Sequence, residues 1–380
     1  MELPLTSALL LLLPLLCFLW LRRDTRRQSR SDGLKAYPII GTLPHFVKNQ
    51  HRLIEWSAGV LARCPTYTMT FNFRGLGLGA GVMTANPANV EHVAKANFQN
   101  YPKGEFVWAW RLQRLLNVGP ERRMRDAVAT IHGYIDRAVR ERGERGAAAG
   151  LARKDDFLSR FASSGEHSDE GLRDVVTNFI VAGRDTTSSA LSWFFWVLSG
   201  RPDVEDKIVR EVRAARASSG EGSFGYEELR SMQYLQAAIT ESMRLYPPVA
   251  MDTHCCQRED VLPDGTLVGK GWQVTYSAYA MARLEELWGA DCAEFRPERW
   301  LDEEGAFRPE STSKYPVFHA GPRMCLGKEM AYIQMKSIVA GVLERFSLRH
   351  VGGEGHPRLV MSLTLRMGGG LPMQVKSRGS

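Results

Sequence analysis

The sequence contains little cysteine and no regular cysteine framework. Six cysteines occur in 380 residues at irregular spacings, and one of them, Cys17, lies inside an apolar leader. A scaffold held together by disulfides needs paired, regularly placed cysteines, so this pattern excludes one and predicts free thiols in a reducing compartment. The chain also lacks an internal repeat of the kind that builds solenoids.

The chain carries excess positive charge without a nucleic-acid-binding motif. Its formal net charge is +7, yet no helix-turn-helix, zinc-finger or RNA-binding signature accompanies that charge. Much of the excess lies directly behind an apolar run, in Arg22, Arg23, Arg26, Arg27 and Arg30. This placement favours a membrane boundary, and we predict no nucleic-acid partner.

Residues 3–21 form an uncharged apolar run of the length that crosses a bilayer as a helix. A cleaved signal peptide is the alternative. It is disfavoured because the run ends in Phe18, Leu19 and Trp20 and because the positive charges follow the run. We therefore predict a transmembrane anchor at 3–21, a basic linker at 22–36 and a single folded domain at 37–380, located in the cytosol.

The rest of the chain has the composition of a globular protein, with 44% hydrophobic and 24% charged residues. Helical spacing predicts a short helix at 53–61 and a long one from Pro120 that ends in the GAAAG loop, while 66–73 reads as a strand. Turn residues predict a hairpin within 260–279 and a second one within 359–375, with three glycines at its tip.

One cysteine stands in a distinctive setting, the stretch FHAGPRMCLGK at 318–328. Cys325 precedes an apolar helical pattern, so it lies near a helix N-terminus. Unpaired backbone N–H groups and the positive end of the helix dipole stabilise a thiolate there. Such a thiolate can ligate a metal.

Four neighbours of Cys325 suit the same purpose. Gly321 permits a sharp turn, Gly327 lets a flat ligand approach the helix, Arg323 supplies a charge for a carboxylate, and Phe318 screens the sulfur from water. The alternative, a buried cysteine beside a loop, requires five positions to coincide by chance.

Together these residues spell F-x-x-G-x-R-x-C-x-G, and the chain resembles the cytochrome P450 superfamily. The resemblance implies a mainly α fold with small β-sheets (α+β) and haem b (iron protoporphyrin IX) as cofactor. The iron would be held by Cys325, with Phe318, Gly321, Arg323 and Gly327 around the cofactor.

The resemblance also assigns roles to Asp185 and Thr186 in AGRDTT. A threonine that bonds the carbonyl four residues back bends a helix, so a kink without function is the alternative interpretation. In the family this acid–alcohol pair borders the oxygen pocket, which implies that Asp185 would feed protons and that Thr186 would hydrogen-bond the bound dioxygen.

Two further sets of residues follow from the resemblance. Glu241, Arg244 and Arg299, from E-x-x-R and PERW, are predicted to form a buried structural network. Without the resemblance, an i,i+3 pair carries little meaning because such exposed pairs are common and weak. His254 lies where the family often binds a haem propionate; a histidine on an ordinary strand is the alternative.

The chain is shorter than the family usually is, and the loss falls near residues 105–106. The helix with the W-x-x-x-R propionate motif and part of the substrate roof are predicted to be missing, which leaves an incomplete P450 domain. Trp110 and Arg114 spell W-x-x-x-R, but their flanks resemble a later segment, so we interpret the match as chance.

The wording of YPIIGTLPHF, VLPDGTLVGKGWQVTYSAYAM and FHAGPRMCLGKEMAYIQMKSIVA resembles the plant fatty-acid ω-hydroxylases. The resemblance implies hydroxylation of fatty acids with O2, or of jasmonoyl-amino acid conjugates as an alternative substrate. Electrons would come from NADPH through NADPH–cytochrome P450 reductase, at the endoplasmic reticulum membrane, with lipid around the single-pass anchor. The opposing hypothesis is an inactive remnant or splice product that does not retain haem.

Overall fold

The computed structural model describes residues 34–37, 40–73, 79–104, 120–149, 168–219, 222–352 and 355–378. The predicted anchor at 3–21 and most of the basic linker lie outside the described residues, as does the W-x-x-x-R match. No helix in the described part of the chain has the length and apolarity needed to cross a bilayer. The chain divides into two compact units, Met1–Gly104 with Thr187–Ser380, and Glu105–Thr186.

The elements before the long helices are short. They are α1 (Leu43–Lys48), α2 (Leu53–Leu61), β1 (Thr68–Asn72), β2 (Ala80–Thr84) and α3 (Pro87–Glu91). The start of α3 follows from its sequence, because Pro87 suits the first turn and the Asn86 side chain accepts a hydrogen bond from the N–H of Ala88. The predicted helix at 53–61 and the strand within 66–73 are confirmed.

Helices dominate the middle of the chain: α4 (Pro120–Ala149), α5 (Asp169–Ser199), α6 (Pro202–Ser219), α7 (Tyr226–Ser231) and α8 (Gln233–Leu245). The end of α8 agrees with the sequence, since Pro247 and Pro248 cannot continue a helix. The predicted GAAAG loop is wrong, because α4 continues through Ala149, as three alanines in a row favour.

The remaining elements alternate strands with short helices. They are β3 (Asp252–Cys255), β4 (Asp260–Val261), β5 (Leu267–Val268), β6 (Gln273–Tyr276), α9 (Ala278–Met281), α10 (Glu285–Trp288), α11 (Lys328–Arg345), β7 (Phe346–His350), β8 (Leu359–Met361), β9 (Leu365–Met367) and β10 (Met373–Ser377). The prediction of helices with small β-sheets is confirmed.

The largest sheet of the first unit has four strands in the order β1-β2-β6-β3. Strand β2 pairs antiparallel with β1 and parallel with β6, and β6 pairs antiparallel with β3. The register of the last pair sets Asp252 opposite Tyr276 and His254 opposite Val274. Because β3 is the last strand in this order, Asp252 and His254 lie on an edge strand of the sheet.

Two predicted hairpins pair differently from the expectation. The turn at Pro263–Gly265 does join β4 to β5, but β6 leaves that hairpin and joins the four-stranded sheet. The three glycines at 368–370 are not a hairpin tip, because β9 pairs with β8 before them and β10 pairs with β7. Turn residues specify where a chain reverses, not which strand it then meets.

The main apolar core of the first unit lies among α6, α8, α11 and the part of α5 from residue 187 onward. Its fully buried members include Ile208, Ile239 and Val339. A second core packs α2 and α9 beside β1 and β2. The loop between residues 316 and 328 leads into α11, so the main core fixes the position of the helix that follows Cys325.

The second unit contains α4 and the part of α5 up to Thr186. These two helices are linked by Arg173 of α5, which lies 4.0 Å from the Asp136 carboxylate of α4. Arg173 also pairs with Glu170 at 3.0 Å within its own helix. Ion pairs near the surface contribute about 0–1 kcal/mol each, so the pair between Arg173 and Asp136 orients the two helices only weakly.

Candidate functional site

The loop around Cys325 is folded by its own backbone hydrogen bonds. Two tight turns, Pro316–Phe318 and Gly321–Arg323, precede α11. The N–H of Cys325 donates to the carbonyl of Phe318 at 2.9 Å, and the N–H of Met324 donates to Gly321 at 3.0 Å. These bonds close the loop, so that Cys325 lies three residues before the first residue of α11.

The two glycines of the motif serve different needs. Gly321 has φ +66, and a Cβ there would lie 2.0 Å from the carbonyl oxygen of Ala94, so both the conformation and the close approach require glycine. Gly327 has φ −87, which any residue adopts. A Cβ at Gly327 would meet only the sulfur of Cys325, at 4.0 Å, so the protein itself leaves this space open.

The Cys325 side chain is partly open to solvent. Cys325 is a half-buried free thiol, and the structure records no hydrogen bond to its sulfur from any described residue. The next residue, Leu326, is 85% exposed. An exposed leucine beside an unengaged thiol and an open glycine forms a surface that suits a flat apolar ligand.

Phe318 lies on the inner side of the loop. Its ring centroid is 5.3 Å from that of Tyr332, and it packs against the main core. This contact anchors the start of the loop to α11. Whether the ring also screens the sulfur from water stays a prediction.

Arg323 and His254 meet at one oxygen atom, although they are far apart in the sequence. Arg323 Nη1 donates to the carbonyl of Tyr101 at 3.2 Å, and His254 Nδ1 lies 2.9 Å from the same oxygen. Arg323 Nη1 also approaches the carbonyl of Phe98 at 3.3 Å. The structure therefore brings together both residues predicted to bind a haem carboxylate.

The two residues differ in what they have left to offer a ligand. Arg323 uses Nη1 for the two carbonyls, which leaves Nε and Nη2 with no hydrogen bond to any described residue. His254 is 3% exposed, and its Nε2 lies 3.1 Å from Asp252 while Nδ1 faces Tyr101. A carboxylate ligand would have to replace one of these partners of His254, whereas Arg323 can accept one directly.

Asp252 gathers several donors at the edge of the sheet. Its Oδ2 lies 3.1 Å from His254 Nε2, 3.2 Å from His319 Nδ1 and 3.0 Å from the Tyr276 hydroxyl, and Lys103 pairs with Oδ1. Burial alone would raise the pKa of Asp252. Hydrogen bonds from His254 and His319, together with the electrostatic effect of His319, hold that pKa well below its usual range.

Asp260 holds the segment that carries the Tyr101 carbonyl. Its Oδ2 accepts from the Tyr101 hydroxyl at 2.8 Å and from Asn97 at 2.9 Å, and His92 Nε2 lies 2.8 Å away. Burial would raise the pKa of Asp260, but the hydrogen bonds from His92 and Tyr101 outweigh it and lower the pKa to about 2.

We expect the contribution of Asp260 to stability to depend on pH. The pKa is lower in the folded chain, so the contribution is present above the unfolded pKa and is lost as the pH falls from about 4 to about 2. Asp260→Asn should lower the free energy of unfolding by about 1–2 kcal/mol at pH 7. The difference between the two proteins should shrink towards zero near pH 2. Urea unfolding at several pH values measures this, and a difference independent of pH would contradict it.

Glu241, Arg244 and Arg299 lie together in the first unit. Arg244 Nε and Nη2 each donate to a Glu241 oxygen at 2.8 Å, and Arg299 Nε lies 3.4 Å from Oε1. Glu241 is 0% and Arg244 1% exposed, so the pair is shielded from water. Further bonds join Glu241 to the indole of Trp300 and Arg244 to the carbonyls of Ala282, Cys292 and Glu294.

Asp185 and Thr186 belong to the second unit. The hydroxyl of Thr186 donates to the carbonyl of Ala182 at 2.6 Å, which is the back-bonding expected from the sequence. The Asp185 carboxylate is 43% exposed and lies 3.9 Å from Arg184. Their catalytic roles stay predictions.

Three residues of the site were not singled out by the sequence. Asp252 contacts His254, the Tyr101 carbonyl contacts Arg323, and His319 contacts Asp252, yet none of the three belongs to a fixed position of the motif. His319 is an unspecified position of F-x-x-G, and Tyr101 takes part through its backbone. The only signal available was the clustering of aspartate and histidine in MDTH.

The chain matches known proteins over most of its length. The family profile described as Cytochrome P450 matches residues 88–367. Cytochrome P450 CYP94D108 of Paris polyphylla is 35% identical, with 89% of this chain and 91% of the relative covered. Cytochrome P450 94B1 of Arabidopsis thaliana is 33% identical, with 90% and 91% covered. Cytochrome P450 94A2 of Vicia sativa is 47% identical over 278 residues, which cover 71% of this chain and 53% of the relative.

Proposed function

The chain belongs to the cytochrome P450 family, and on that premise we propose that it is a haem-thiolate monooxygenase that hydroxylates fatty acids at or near the ω end. The observation that carries the proposal is the Cys325 loop, in which an unengaged thiol, an exposed leucine and an open glycine adjoin. Membership of the family indicates the class of reaction, and the loop indicates where the haem would bind.

The residues of the loop fit iron protoporphyrin IX. A thiolate at Cys325 would hold the iron, and Leu326 would offer apolar contact to a flat ring. Arg323 has Nε and Nη2 left for a carboxylate, in the planar arrangement that binds carboxylates with two hydrogen bonds. His254 would join after exchanging its Tyr101 or Asp252 partner.

Haem bound there would supply O2 activation and insertion of one oxygen atom into a C–H bond. The protein's own residues would bind the haem and transfer protons. The hydroxyl of Thr186 donates its proton in a hydrogen bond to the Ala182 carbonyl, so the oxygen of Thr186 can accept a further hydrogen bond. We propose that the exposed Asp185 carboxylate takes protons from solvent and passes them towards Thr186.

The substrate class rests on similarity to the plant relatives. These relatives carry names of the cytochrome P450 94 group, and the chain resembles plant fatty-acid ω-hydroxylases in wording. Jasmonoyl-amino acid conjugates, which also carry an acyl chain, are the second substrate class. Electrons would come from NADPH through NADPH–cytochrome P450 reductase, and residues 3–21 would anchor the protein in the endoplasmic reticulum membrane.

A second candidate is a remnant that does not retain haem. The alignment with the Paris polyphylla relative runs over 464 positions, more than the 380 residues of this chain, so gaps open in this chain. We propose that the main gap falls near residues 105–106. A chain without the propionate helix and part of the roof would bind haem weakly.

One measurement separates the two candidates. We expect the full chain, expressed in membranes with haem precursor and reduced under carbon monoxide, to show the absorption band of thiolate-ligated haem. With reductase and NADPH it should then convert a medium-chain fatty acid to its ω-hydroxy product, detected by mass spectrometry. Absence of the band would contradict the proposal that this chain is a monooxygenase and would favour the remnant that does not retain haem. A band without fatty-acid turnover would redirect the search to jasmonoyl conjugates.

A further inference from the structure

His319, the residue after the motif phenylalanine, has an unusual backbone conformation. Its φ is 60 and its ψ is −171, a region that glycine occupies freely and that a side chain makes costly. The surrounding structure must compensate for this cost. Residues held in such regions often serve a purpose that relaxed geometry would not.

The side chain of His319 connects the Cys325 loop to the four-stranded sheet. Its Nδ1 lies 2.9 Å from the Tyr276 hydroxyl of β6 and 3.2 Å from Asp252 Oδ2 of β3. The Tyr276 hydroxyl itself donates to Asp252 at 3.0 Å. The hydroxyl proton is thereby used, so Nδ1 must carry a proton and donate to these oxygens.

We propose that His319 and Asp252 are a positioning pair that fixes the Cys325 loop on the edge of the sheet. This inference rests on the proposed haem site, and it adds two residues that the motif leaves unspecified. The pair does not touch the sulfur. It acts through the backbone, because the carbonyl of the adjacent Phe318 accepts from the N–H of Cys325.

The same carboxylate links the loop to the other predicted ligand. Asp252 holds His254 through Nε2, and His254 meets Arg323 at the Tyr101 carbonyl. Hydrogen bonds therefore connect the loop to β3, β3 to the carbonyl of residue 101, and that carbonyl back to Arg323 in the loop. Partners of this indirect kind typically change ligand affinity by about 10- to 100-fold when removed.

The test uses alkylation of Cys325, which needs no haem. His319→Gly removes the side chain and relieves the backbone, while Asp252→Asn removes the charged acceptor and leaves the sequence of the loop unchanged. Both variants should raise the alkylation rate of Cys325 about tenfold, with buried Cys64 as the internal reference in peptide mapping.

A conservative variant separates the hydrogen bond from mere bulk. His319→Asn offers an amide N–H at the position of Nδ1 and should keep the alkylation rate within about threefold of the wild type. Unchanged rates in both His319→Gly and Asp252→Asn would overturn the pair. A tenfold rise in His319→Asn would also overturn it, because the ring and not the hydrogen bond would then matter.

Haem retention completes the test. We expect His319→Gly and Asp252→Asn to lose haem about tenfold faster than the wild type when apomyoglobin is offered as acceptor. A wild type that never takes up haem would defeat the proposed function, while the alkylation result would still decide the pair. A wild type that holds haem no better than both variants would defeat the pair and leave the proposed function intact.

Discussion

Replacing Cys325 with serine is expected to abolish the carbon monoxide band of thiolate-ligated haem and to reduce fatty-acid hydroxylation by more than about 100-fold. A hydroxyl does not ionise near neutral pH as a thiol does, so it cannot provide the anionic sulfur that favours O–O cleavage. Difference spectroscopy measures the first effect, and product analysis with reductase and NADPH measures the second.

The substitution should leave the folded chain almost unchanged. No described residue hydrogen-bonds to the Cys325 sulfur, so its loss breaks no protein contact of that kind. We expect the free energy of unfolding of the haem-free variant to stay within about 0.5 kcal/mol of the wild type. A variant that lost its spectrum because it unfolded would show a larger drop in its free energy of unfolding.

Cys255 provides the matched control. It is also a half-buried free cysteine in the first unit, but it lies on β3 and outside the motif. Cys255→Ser should retain both the band and the hydroxylation. An unaltered spectrum and turnover in Cys325→Ser would refute the proposed function, and loss of both in Cys255→Ser would show that the haem contact had been assigned to the wrong sulfur.

The sequence predicted the identity of the loop residues better than the reasons for them. Gly321 was expected from its turn, and its φ of +66 agrees. A tighter constraint on residue 321 is the carbonyl oxygen of Ala94, which would lie 2.0 Å from a Cβ added at this position. That contact joins segments distant in the chain, and no local pattern contains it.

The positioning residues were missed for the same reason. Asp252 and His319 become neighbours only after β3 pairs with β6 and Tyr276 comes opposite Asp252. Periodicity identifies strands, but their register depends on which strand lies alongside. The triple glycine shows the same limit, since its chain reversal leads β10 to β7 and not back to β9.

Arg244→Ala is expected to lower the free energy of unfolding by about 3–5 kcal/mol, the usual cost of removing one partner of a buried ion pair. Glu241, which is 0% exposed, would lose two hydrogen bonds and its buried counterion. Three backbone carbonyls would lose their donors as well. Urea unfolding followed by circular dichroism measures the loss, and proteolysis in cell extracts gives a second measure if the variant is too unstable to purify.

Arg230→Ala is the matched control, because Glu227 and Arg230 form another i,i+3 pair in the first unit. They lie 3.9 Å apart with side chains 79% and 69% exposed, so water replaces the lost contact and the cost should be about 0.5 kcal/mol or less. Arg244→Lys should still lose most of the stability, because one ammonium cannot reach both Glu241 oxygens and three carbonyls at once. Equal costs for Arg244→Ala and Arg230→Ala would contradict the structural role of the buried network.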